Sequence, residues 1–226
     1  MARQYLLGID LGTSGVRALL MDEGGMVVCS RSCDYPLKIP RPGWAEQEPN
    51  DWWRATCRAV RELLEQAPVR PRDIAAAGLT GQMHGSVFLD GRGDVVCPAI
   101  LWCDQRTGAE CEEITRRVGR RRVLEVTCNP VLTGFQAPKI LWLQRNSPAA
   151  WHRVAHVLLP KDYLRFRLTG EFATDVSDAS GTSLFDVRKR RWSPEMMEAV
   201  GVRPSLLPEP FESPALTGSV SPQAAR

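Results

Sequence analysis

Two groups of residues in this sequence could do chemistry, and the first lies near the N-terminus. Asp10 ends an apolar run that begins at Tyr5. The turn after it consists of Gly12, Thr13, Ser14 and Gly15. Because glycine admits the positive φ angles of a tight turn, the N–H groups and hydroxyls of such a turn can surround an anion, and Asp10 could hold Mg²⁺ against bound phosphates. The pattern favours a phosphate-binding turn, with an ordinary turn between core strands as the alternative.

The segment after this turn indicates which kind of phosphate site it could be. Residues 16–21 are apolar except for Arg17, and a turn of Asp22, Glu23 and two glycines follows, so the run is too short for a typical helix and suits a strand. Walker loops and dinucleotide-binding turns lead into a helix, and the Gly-Lys-Ser/Thr ending of a Walker loop is missing. We therefore predict a hairpin with its tip at residues 12–15, and a third strand over residues 26–30 that completes an antiparallel meander.

The second group has the character of a binding site for a polar ligand. A buried strand is predicted over residues 74–80, and after it Gly81 and Gly85 bracket a tight bend. The residues inside the bend are Gln82, Met83 and His84. Ligands of α/β sheets gather at the carboxyl ends of strands, so this bend could present its side chains to a ligand. A lone histidine is more often structural, and that interpretation stays open.

Further along the chain, Trp102, Asp104 and Arg106 occupy alternate positions. In an extended segment their three side chains would point to one side. An aromatic ring packs against the C–H face of a sugar, while a carboxylate and a guanidinium pair with its hydroxyls. The alternative is an Asp–Arg ion pair that ends a strand, with Thr107 as the cap of the next helix.

Length and composition argue against several classes of protein. The chain has 226 residues, a net charge of +3 and seven cysteines. Neither nucleic acid nor a membrane is expected as a partner, since the charge is dispersed and no apolar run is long enough to span a bilayer. The odd number of scattered cysteines, without a Cys-x-x-Cys pair, is typical of reduced, mostly buried thiols in a cytoplasmic protein.

The remaining pattern predicts the elements that position these groups. A core-facing helix with Asn50 as its cap is predicted from apolar residues at helical spacing. That stripe consists of Trp53, Cys57, Val60 and Leu64. Further helices are predicted over residues 108–118, up to a C-terminal cap near Gly170, and over residues 194–200. Strands alternating with helices indicate an α/β fold.

Together the motifs resemble the FGGY family of carbohydrate kinases over almost the whole chain. The matching segments are residues 9–16, 81–85, 100–106, 159–164 and 177–182. The Gln-Met-His-Gly element resembles the xylulokinase branch of that family most. The resemblance implies a ribonuclease H-like (actin-like ATPase) lobe, which is an α/β fold with a mixed sheet, an N-terminal antiparallel meander and flanking helices.

The same resemblance implies transfer of the ATP γ-phosphoryl group to a ketopentose such as D-xylulose. Asp10 would bind Mg²⁺, directly or through water, and the turn at residues 12–15 would approach the phosphates of ATP. The sugar-binding residues implied are Gln82, Met83, His84, Trp102, Asp104 and Arg106. Two alternatives stay open: a kinase for another ketose or polyol (ribulose, gluconate or glycerol), and a non-catalytic ATP-binding module of the actin or heat-shock chaperone type.

The sequence departs from the family pattern mildly at Arg17, where a lysine is often found, and more seriously at the proton acceptor. The proton acceptor in these kinases is an aspartate in a Gly-Gly-Gly-Asp-Asn-like stretch, and no such stretch occurs before Arg226. We therefore expect the general base beyond Arg226, together with a C-terminal nucleotide-binding lobe. Residues 1–201 are predicted to form the sugar-binding lobe, and residues 202–226 an extended connection. The chain resembles a truncated first lobe, inactive alone, whose expected partners are a ketose, the missing lobe and, as a possible homodimer, a second copy.

Overall fold

The computed structural model describes residues 4–225, and their backbone separates into two compact units. The first unit combines the described residues up to Leu37 with Pro49–Gln82. The second combines Lys38–Glu48 with the described residues from Met83 onward. The candidate phosphate turn therefore belongs to the first unit, and all of the candidate sugar-binding residues except Gln82 belong to the second.

The regular elements are short strands and eight α-helices among the described residues. The strands are β1 (Tyr5–Leu11), β2 (Gly15–Asp22), β3 (Val27–Asp34), β4 (Glu46–Gln47), β5 (Ile74–Gly81), β6 (Val87–Leu89), β7 (Ala99–Ile100), β8 (His156–Leu158), β9 (Ala173–Asp175), β10 (Phe185–Asp186), β11 (Arg191–Trp192) and β12 (Glu209–Phe211). The helices are α1 (Pro49–Gln66), α2 (Gly108–Val118), α3 (Arg120–Thr127), α4 (Gln136–Asn146), α5 (Pro148–Arg153), α6 (Pro160–Thr169), α7 (Val176–Ala179) and α8 (Pro194–Val200). Short 3₁₀ turns lie at Pro71–Asp73, Ser180–Thr182 and Pro204–Leu206.

The first unit is built on a mixed sheet with strand order β3-β2-β1-β5. β1, β2 and β3 pair antiparallel, and β5 lies parallel to β1, which the crossover through α1 makes possible. The predicted meander is confirmed, as is the hairpin tip, because β1 ends at Leu11 and β2 begins at Gly15. The third strand is longer than predicted and follows β2 as far as Asp34.

Helix α1 has the predicted place but a different buried face. It begins at Pro49, so Asn50 lies inside the helix and is not its cap. The buried side is formed by Trp52, Ala55, Thr56, Ala59 and Leu63, whereas the predicted stripe of Trp53, Cys57, Val60 and Leu64 is only half-buried. Adjacent helix positions differ by about 100°, so the apolar spacing gave the period correctly and the face incorrectly. Ala55, Thr56 and Ala59 of the buried face are small or polar, so the sequence alone does not mark them as core residues.

The prediction of a buried strand over residues 74–80 is right about the strand and wrong about its burial. Residues 75–78 of β5 are exposed, and Leu79 is half-buried. β5 is the last strand in the order of the sheet, and its three alanines and a glycine cover little of either face. A short apolar run is therefore compatible with an edge strand as well as with a central one.

The second unit consists mainly of helices around a large apolar core, with a smaller apolar cluster of Val176, Ala179 and Phe185. Its strands form four two-stranded pairings, β4–β7, β6–β8, β9–β12 and β10–β11. The core takes buried side chains from α2, α4 and α8, among them Ile114, Ile140 and Met196. Leu206 and Leu207, within the predicted extended connection, are buried in the same core.

Two further expectations concern the chain as a whole. None of the described helices combines the length and the apolar character that crossing a bilayer requires. The seven cysteines are free thiols, as predicted. The expectation that they are mostly buried is wrong, because only Cys33 and Cys111 are fully buried and Cys128 is exposed.

Candidate functional site

The glycine-rich turn is closed by its own backbone and by one tyrosine. The Gly12 N–H donates to the Gly15 carbonyl oxygen at 3.0 Å. The Tyr35 hydroxyl donates to the Gly12 carbonyl, and the Tyr35 N–H donates to the Ser14 carbonyl at 3.2 Å. Burial, and secondarily the negative charge of Asp10, raises the pKa of Tyr35, so its hydroxyl remains a donor at neutral pH. Tyr35 was not identified from the sequence, where its one signal is an aromatic residue directly after the meander.

The glycines of this turn are required for space and not for a positive φ. Neither Gly12 nor Gly15 has a positive φ, so the expectation from the sequence is wrong on this point. A Cβ on Gly15 would lie 2.9 Å from both the Cys33 carbonyl oxygen and an Asp34 carboxylate oxygen. A Cβ on Gly12 would lie 3.1 Å from the Gly15 oxygen. Close backbone approach therefore explains the glycines.

Asp10 is an exposed carboxylate at the end of β1, opposite Arg17 in the strand register. Ser14 is exposed and Thr13 half-buried in the adjoining turn. Within residues 4–225 there is no group of three or more His, Cys, Asp or Glu side chains that could hold a metal ion. Mg²⁺ usually takes one or two carboxylates and completes its shell with phosphate oxygens and water. A single exposed carboxylate next to a turn that carries hydroxyl groups is compatible with that ion.

The bend at Met83 and His84 is as tight as predicted. His84 has a φ of 65°, which is uncommon for a residue with a side chain. The Gly85 N–H donates to the Met83 carbonyl at 2.8 Å. A Cβ on Gly85 would lie 2.6 Å from Cγ of Pro160, the first residue of α6. Position 85 therefore requires glycine.

The imidazole of His84 is held on two sides. Its Nδ1 lies 2.8 Å from the Gly181 carbonyl oxygen, and the ring stacks on Phe135 with 4.5 Å between centroids. Because a carbonyl can only accept, Nδ1 carries the proton and Nε2 carries the lone pair. Burial lowers the pKa of His84, with the Gly181 hydrogen bond opposing it, so the ring is neutral at neutral pH.

The expectation that Trp102, Asp104 and Arg106 point to one side is wrong. Trp102 is 46% exposed, whereas Asp104 is 0% exposed and the Arg106 side chain is 3% exposed. The segment after β7 is a series of turns and not an extended strand, so alternate positions do not share a face. The chain turns because the carboxylate and the guanidinium find their partners inside the protein.

Arg106 is enclosed by aromatic rings and carboxylates. Its guanidinium carbon lies 3.6 Å from the Trp44 ring centroid and 4.8 Å from that of Trp142. Its Nη2 lies 2.7 Å from Asp104 Oδ2 and 2.8 Å from Glu46 Oε1. A buried guanidinium needs this combination of stacking and ion pairing. The Gly-Trp-Ala-Glu segment at residues 43–46 was the sequence signal for this arrangement, but its partner could not be deduced.

Asp104 is likewise fully engaged. Besides Arg106, it accepts the Ala45 N–H at 2.7 Å. Thr107 does not cap α2 with its side chain, since its hydroxyl donates to the Thr133 carbonyl at 3.3 Å. The Asp–Arg ion pair foreseen as the alternative is thus present. Thr107 does occupy the N-cap position of α2, as predicted, but its side chain does not make the capping hydrogen bond.

The candidate sugar-binding residues divide into two sets by exposure. Met83 (48%) and Trp102 (46%) are exposed, and His84 is half-buried. Gln82, in the first unit, is buried, and its N–H donates to the Leu11 carbonyl at 2.6 Å. Three of the candidates can therefore reach a ligand directly, and Gln82, Asp104 and Arg106 lie behind the surface.

A separate charged cluster surrounds Lys161. Its Nζ lies 2.7 Å from Asp162, 2.9 Å from Asp175 and 3.2 Å from Asp178. Asp175 also accepts from the Ser213 hydroxyl at 2.6 Å. These carboxylates neutralise a largely buried ammonium group, which favours a structural role over that of a proton acceptor.

Comparison with known proteins gives a consistent result. Residues 5–226 match the N-terminal domain of the FGGY family of carbohydrate kinases. A xylulose kinase of Escherichia coli (strain K12) is 45% identical over 220 residues, which are 97% of this chain and 45% of that protein. A glycerol kinase of Thermococcus onnurineus is 36% identical over 219 residues, which are 95% of this chain and 44% of that protein.

The fold is similar to that of solved kinases. The crystal structure of a xyloylose (xylulose) kinase from Brucella ovis superposes with a TM-score of 0.93 at 40% identity. The match covers 97% of this chain and 46% of that one, so the chain spans slightly less than half the length of the relatives it matches. The predicted fold class is confirmed: a mixed sheet with an N-terminal antiparallel meander and flanking helices, of the actin-like ATPase type.

Proposed function

Since this chain belongs to the FGGY family of carbohydrate kinases, we propose that it supplies the sugar-binding side of a kinase that phosphorylates a ketopentose such as D-xylulose. The observation that carries this proposal is the 45% identity to the xylulose kinase of Escherichia coli across 97% of the chain. Residues 1–201 are proposed as the lobe, with residues 202–226 leading towards a nucleotide-binding lobe. Its proposed setting is the cytoplasm, which agrees with seven free thiols.

The proposed sugar contacts are Met83, His84 and Trp102. The exposed indole of Trp102 offers a flat apolar surface to the C–H face of the ketose. The neutral imidazole of His84 can accept a hydrogen bond from a sugar hydroxyl at Nε2, because Gly181 already occupies Nδ1. A fixed tautomer selects a hydroxyl donor at a defined position. The exposed Met83 side chain lines the same bend and adapts to the substrate's shape.

Three buried residues are proposed to position these sugar contacts without touching the sugar: Gln82, Asp104 and Arg106. Asp104 and Arg106 tie the segment that carries Trp102 to residues 44–46 through an ion pair and a stacked guanidinium. Gln82 anchors the chain to β1 immediately before the bend. Their part in sugar binding is to hold Trp102 and Met83 in place.

ATP and Mg²⁺ are proposed to approach the turn at residues 12–15. Asp10 would hold Mg²⁺, directly or through water, and the ion would neutralise charge on the phosphates. The hydroxyl groups of Ser14, which is exposed, and Thr13, which is half-buried, are the groups of the turn proposed to approach the phosphates. The hydroxyl of Tyr35 holds that turn through the Gly12 carbonyl.

Phosphoryl transfer of this kind depends mainly on positioning and on stabilisation of charge. The residues of this chain would orient the ketose hydroxyl and hold the phosphates. The carboxylates at residues 162, 175 and 178 are bound to Lys161, so we place the proton acceptor in the remainder of the complete enzyme, as the family resemblance implies. A single lobe of a two-walled cleft is expected to bind sugar weakly and to turn over no ATP.

The test is a phosphorylation assay on the complete protein that carries this chain, with D-xylulose, D-ribulose, D-gluconate and glycerol as acceptors. We expect D-xylulose to give the highest kcat/KM. His84→Ala should lower kcat/KM for D-xylulose by about a hundredfold, because a half-buried acceptor of fixed tautomer is lost, and leave the KM for ATP within about twofold. His152→Ala, at an exposed histidine of α5, is the matched control and should change neither value.

The second candidate is a polyol kinase, which the 36% identity to a glycerol kinase favours. A preference for glycerol in the same assay would support it against the ketose kinase. If none of the four acceptors is phosphorylated or changes the affinity for nucleotide, the result would instead support the non-catalytic ATP-binding module.

A further inference from the structure

Lys139 is a buried amine close to the proposed sugar site. It lies in the first turns of α4 and is 0% exposed. Burial lowers the pKa of Lys139 to about 7, although the charge of Asp104 opposes the shift. A lysine is seldom placed in such a position unless its donors have partners.

The partners of this amine are two backbone carbonyl groups. Nζ of Lys139 donates to the His84 carbonyl at 2.9 Å and to the Gly134 carbonyl. A neutral amine keeps two N–H bonds, and the two carbonyls accept both of them. The side chain therefore bridges the bend at His84 and the loop before α4.

The first of these carbonyls belongs to a strained residue. His84 has a φ of 65°, a conformation that persists in a residue with a side chain only where surrounding contacts hold it. The imidazole is fixed by Gly181 and Phe135, and the backbone of the same residue is held by Lys139. Side-chain and backbone anchors thus act together on one residue.

The second carbonyl belongs to a loop that touches Trp102. A Cβ on Gly134 would lie 2.8 Å from the Trp102 carbonyl oxygen, so the two backbones are in close contact. Through Gly134, the Lys139 amine also reaches the segment that presents the exposed indole. One buried group is in this way connected to both proposed sugar contacts.

We propose that Lys139 is a positioning residue of the sugar site, whose amine holds the His84 bend and the Gly134 loop in the arrangement that presents the imidazole and the indole. This inference rests on the proposed function, because positioning matters to substrate only if His84 and Trp102 contact the sugar. It adds a residue that does not reach the surface and whose hydrogen bonds to two backbone carbonyls hold the site.

The test uses the 226-residue chain with ¹⁵N-labelled histidine and compares Lys139→Met with Gln136→Met. Gln136 is a matched control, because it is 1% exposed on the same helix and donates to a different backbone carbonyl, that of Leu158, at 3.1 Å. The ¹⁵N shifts of His84 report its tautomer, urea unfolding reports stability, and titration with D-xylulose reports affinity.

Gln136→Met should keep the Nδ1–H tautomer of His84 and bind D-xylulose within about twofold of the unmodified chain. Lys139→Met should average the two ¹⁵N shifts of His84 and weaken D-xylulose binding by about tenfold, as expected for a lost hydrogen-bonded anchor. If Lys139→Met does not fold, Lys139→Gln, which keeps an amide donor, should show the same change to a smaller degree.

Wild-type ¹⁵N shifts and affinity in a folded Lys139 variant would overturn the inference. Equal changes in the Gln136→Met variant would also overturn it, because they would indicate a general loosening of α4. The tautomer comparison needs no sugar. If the unmodified chain does not bind D-xylulose, the result counts against the proposed function. The ¹⁵N shifts of His84 would still decide the role of Lys139.

Discussion

The turn at residues 12–15 and the bend at Met83 and His84 both need close backbone packing, but they achieve it by opposite means. In the turn, close packing is possible because glycine has no side chain: a Cβ on Gly15 would lie 2.9 Å from a backbone oxygen and from a carboxylate oxygen. In the bend, a residue with a side chain adopts a φ of 65° and is held by Lys139, Phe135 and Gly181. The first is built within the meander, from the turn itself and the end of β3 with Tyr35, and the second from residues 50 or more positions along the chain.

This difference predicts different sensitivities. The bend should respond strongly to changes 50 or more positions away in sequence, whereas the turn should depend mainly on its own residues and on one tyrosine.

Gly181→Ala should disrupt the bend most. A Cβ at this position would overlap Cε1 and Nδ1 of His84, so the imidazole must leave its hydrogen bond. Overpacking of this kind costs about 3 kcal/mol at the upper end of its usual range, and D-xylulose affinity should fall by about thirtyfold or more. Calorimetric titration and urea unfolding measure the two effects.

Gly108→Ala is the control for that substitution. A Cβ on Gly108, the first residue of α2, meets nothing within 4 Å, so stability and affinity should stay unchanged or improve slightly. Unaltered sugar binding in Gly181→Ala would show that the imidazole is not held as described.

The buried amine of Lys139 should make stability depend on pH. Burial lowers the pKa of Lys139 to about 7, against Asp104, Cys103 and Cys111, which raise it, and with Arg106, which lowers it further. The pKa in the unfolded chain is about 10.4, so between pH 7 and 9 the unfolded state binds more protons and stability rises with pH. Over this interval the unmodified chain should gain about 2 kcal/mol relative to Lys139→Met.

Urea unfolding of both proteins at pH 7, 8 and 9 checks this expectation. Burial raises the pKa of Cys111 to about 11, which acts in the opposite direction, but both proteins contain that thiol and the difference between them removes its effect. Parallel pH profiles would mean that Lys139 is charged throughout and that its pKa is not depressed.

Tyr35→Phe should have the smallest effect and should confine it to the turn. It removes the hydroxyl that donates to the Gly12 carbonyl, which costs about 1 kcal/mol of stability. In the complete protein the KM for ATP should rise about threefold, while the KM for D-xylulose should not change. Tyr5→Phe, at the opposite end of β1, is the control. An equal change in both KM values would contradict the separation of the two regions.

Much of the fold could be predicted because its signals are local. Short apolar runs between turn residues correctly predicted the meander and the tip of its hairpin, and Gly170 correctly predicted the end of α6. The bend at His84 was also predictable, since glycines bracket it on both sides. In each case the residues that determine the structure lie within one short segment.

The errors concern contacts between distant segments. The buried face of α1 depends on which sheet residues it meets, and the exposure of β5 depends on its place at the edge. Arg106 turns inward because Trp44 and Glu46, some 60 positions earlier, enclose it. Lys139 and Tyr35 reach their backbone acceptors only in the folded chain, so the sequence does not identify their partners.

The central claim is that this chain carries the ketose-binding side of a kinase, with His84 and Trp102 in contact with the sugar. The most direct test is an NMR titration of the 226-residue chain with D-xylulose that follows the His84 imidazole and the Trp102 indole N–H. We predict that both signals shift together and saturate at concentrations on the order of tens of millimolar, as expected for a weak complex with an open pocket, and that His84→Ala abolishes the saturation. Signals that stay unchanged at saturating sugar, or shifts confined to other residues, would contradict the account.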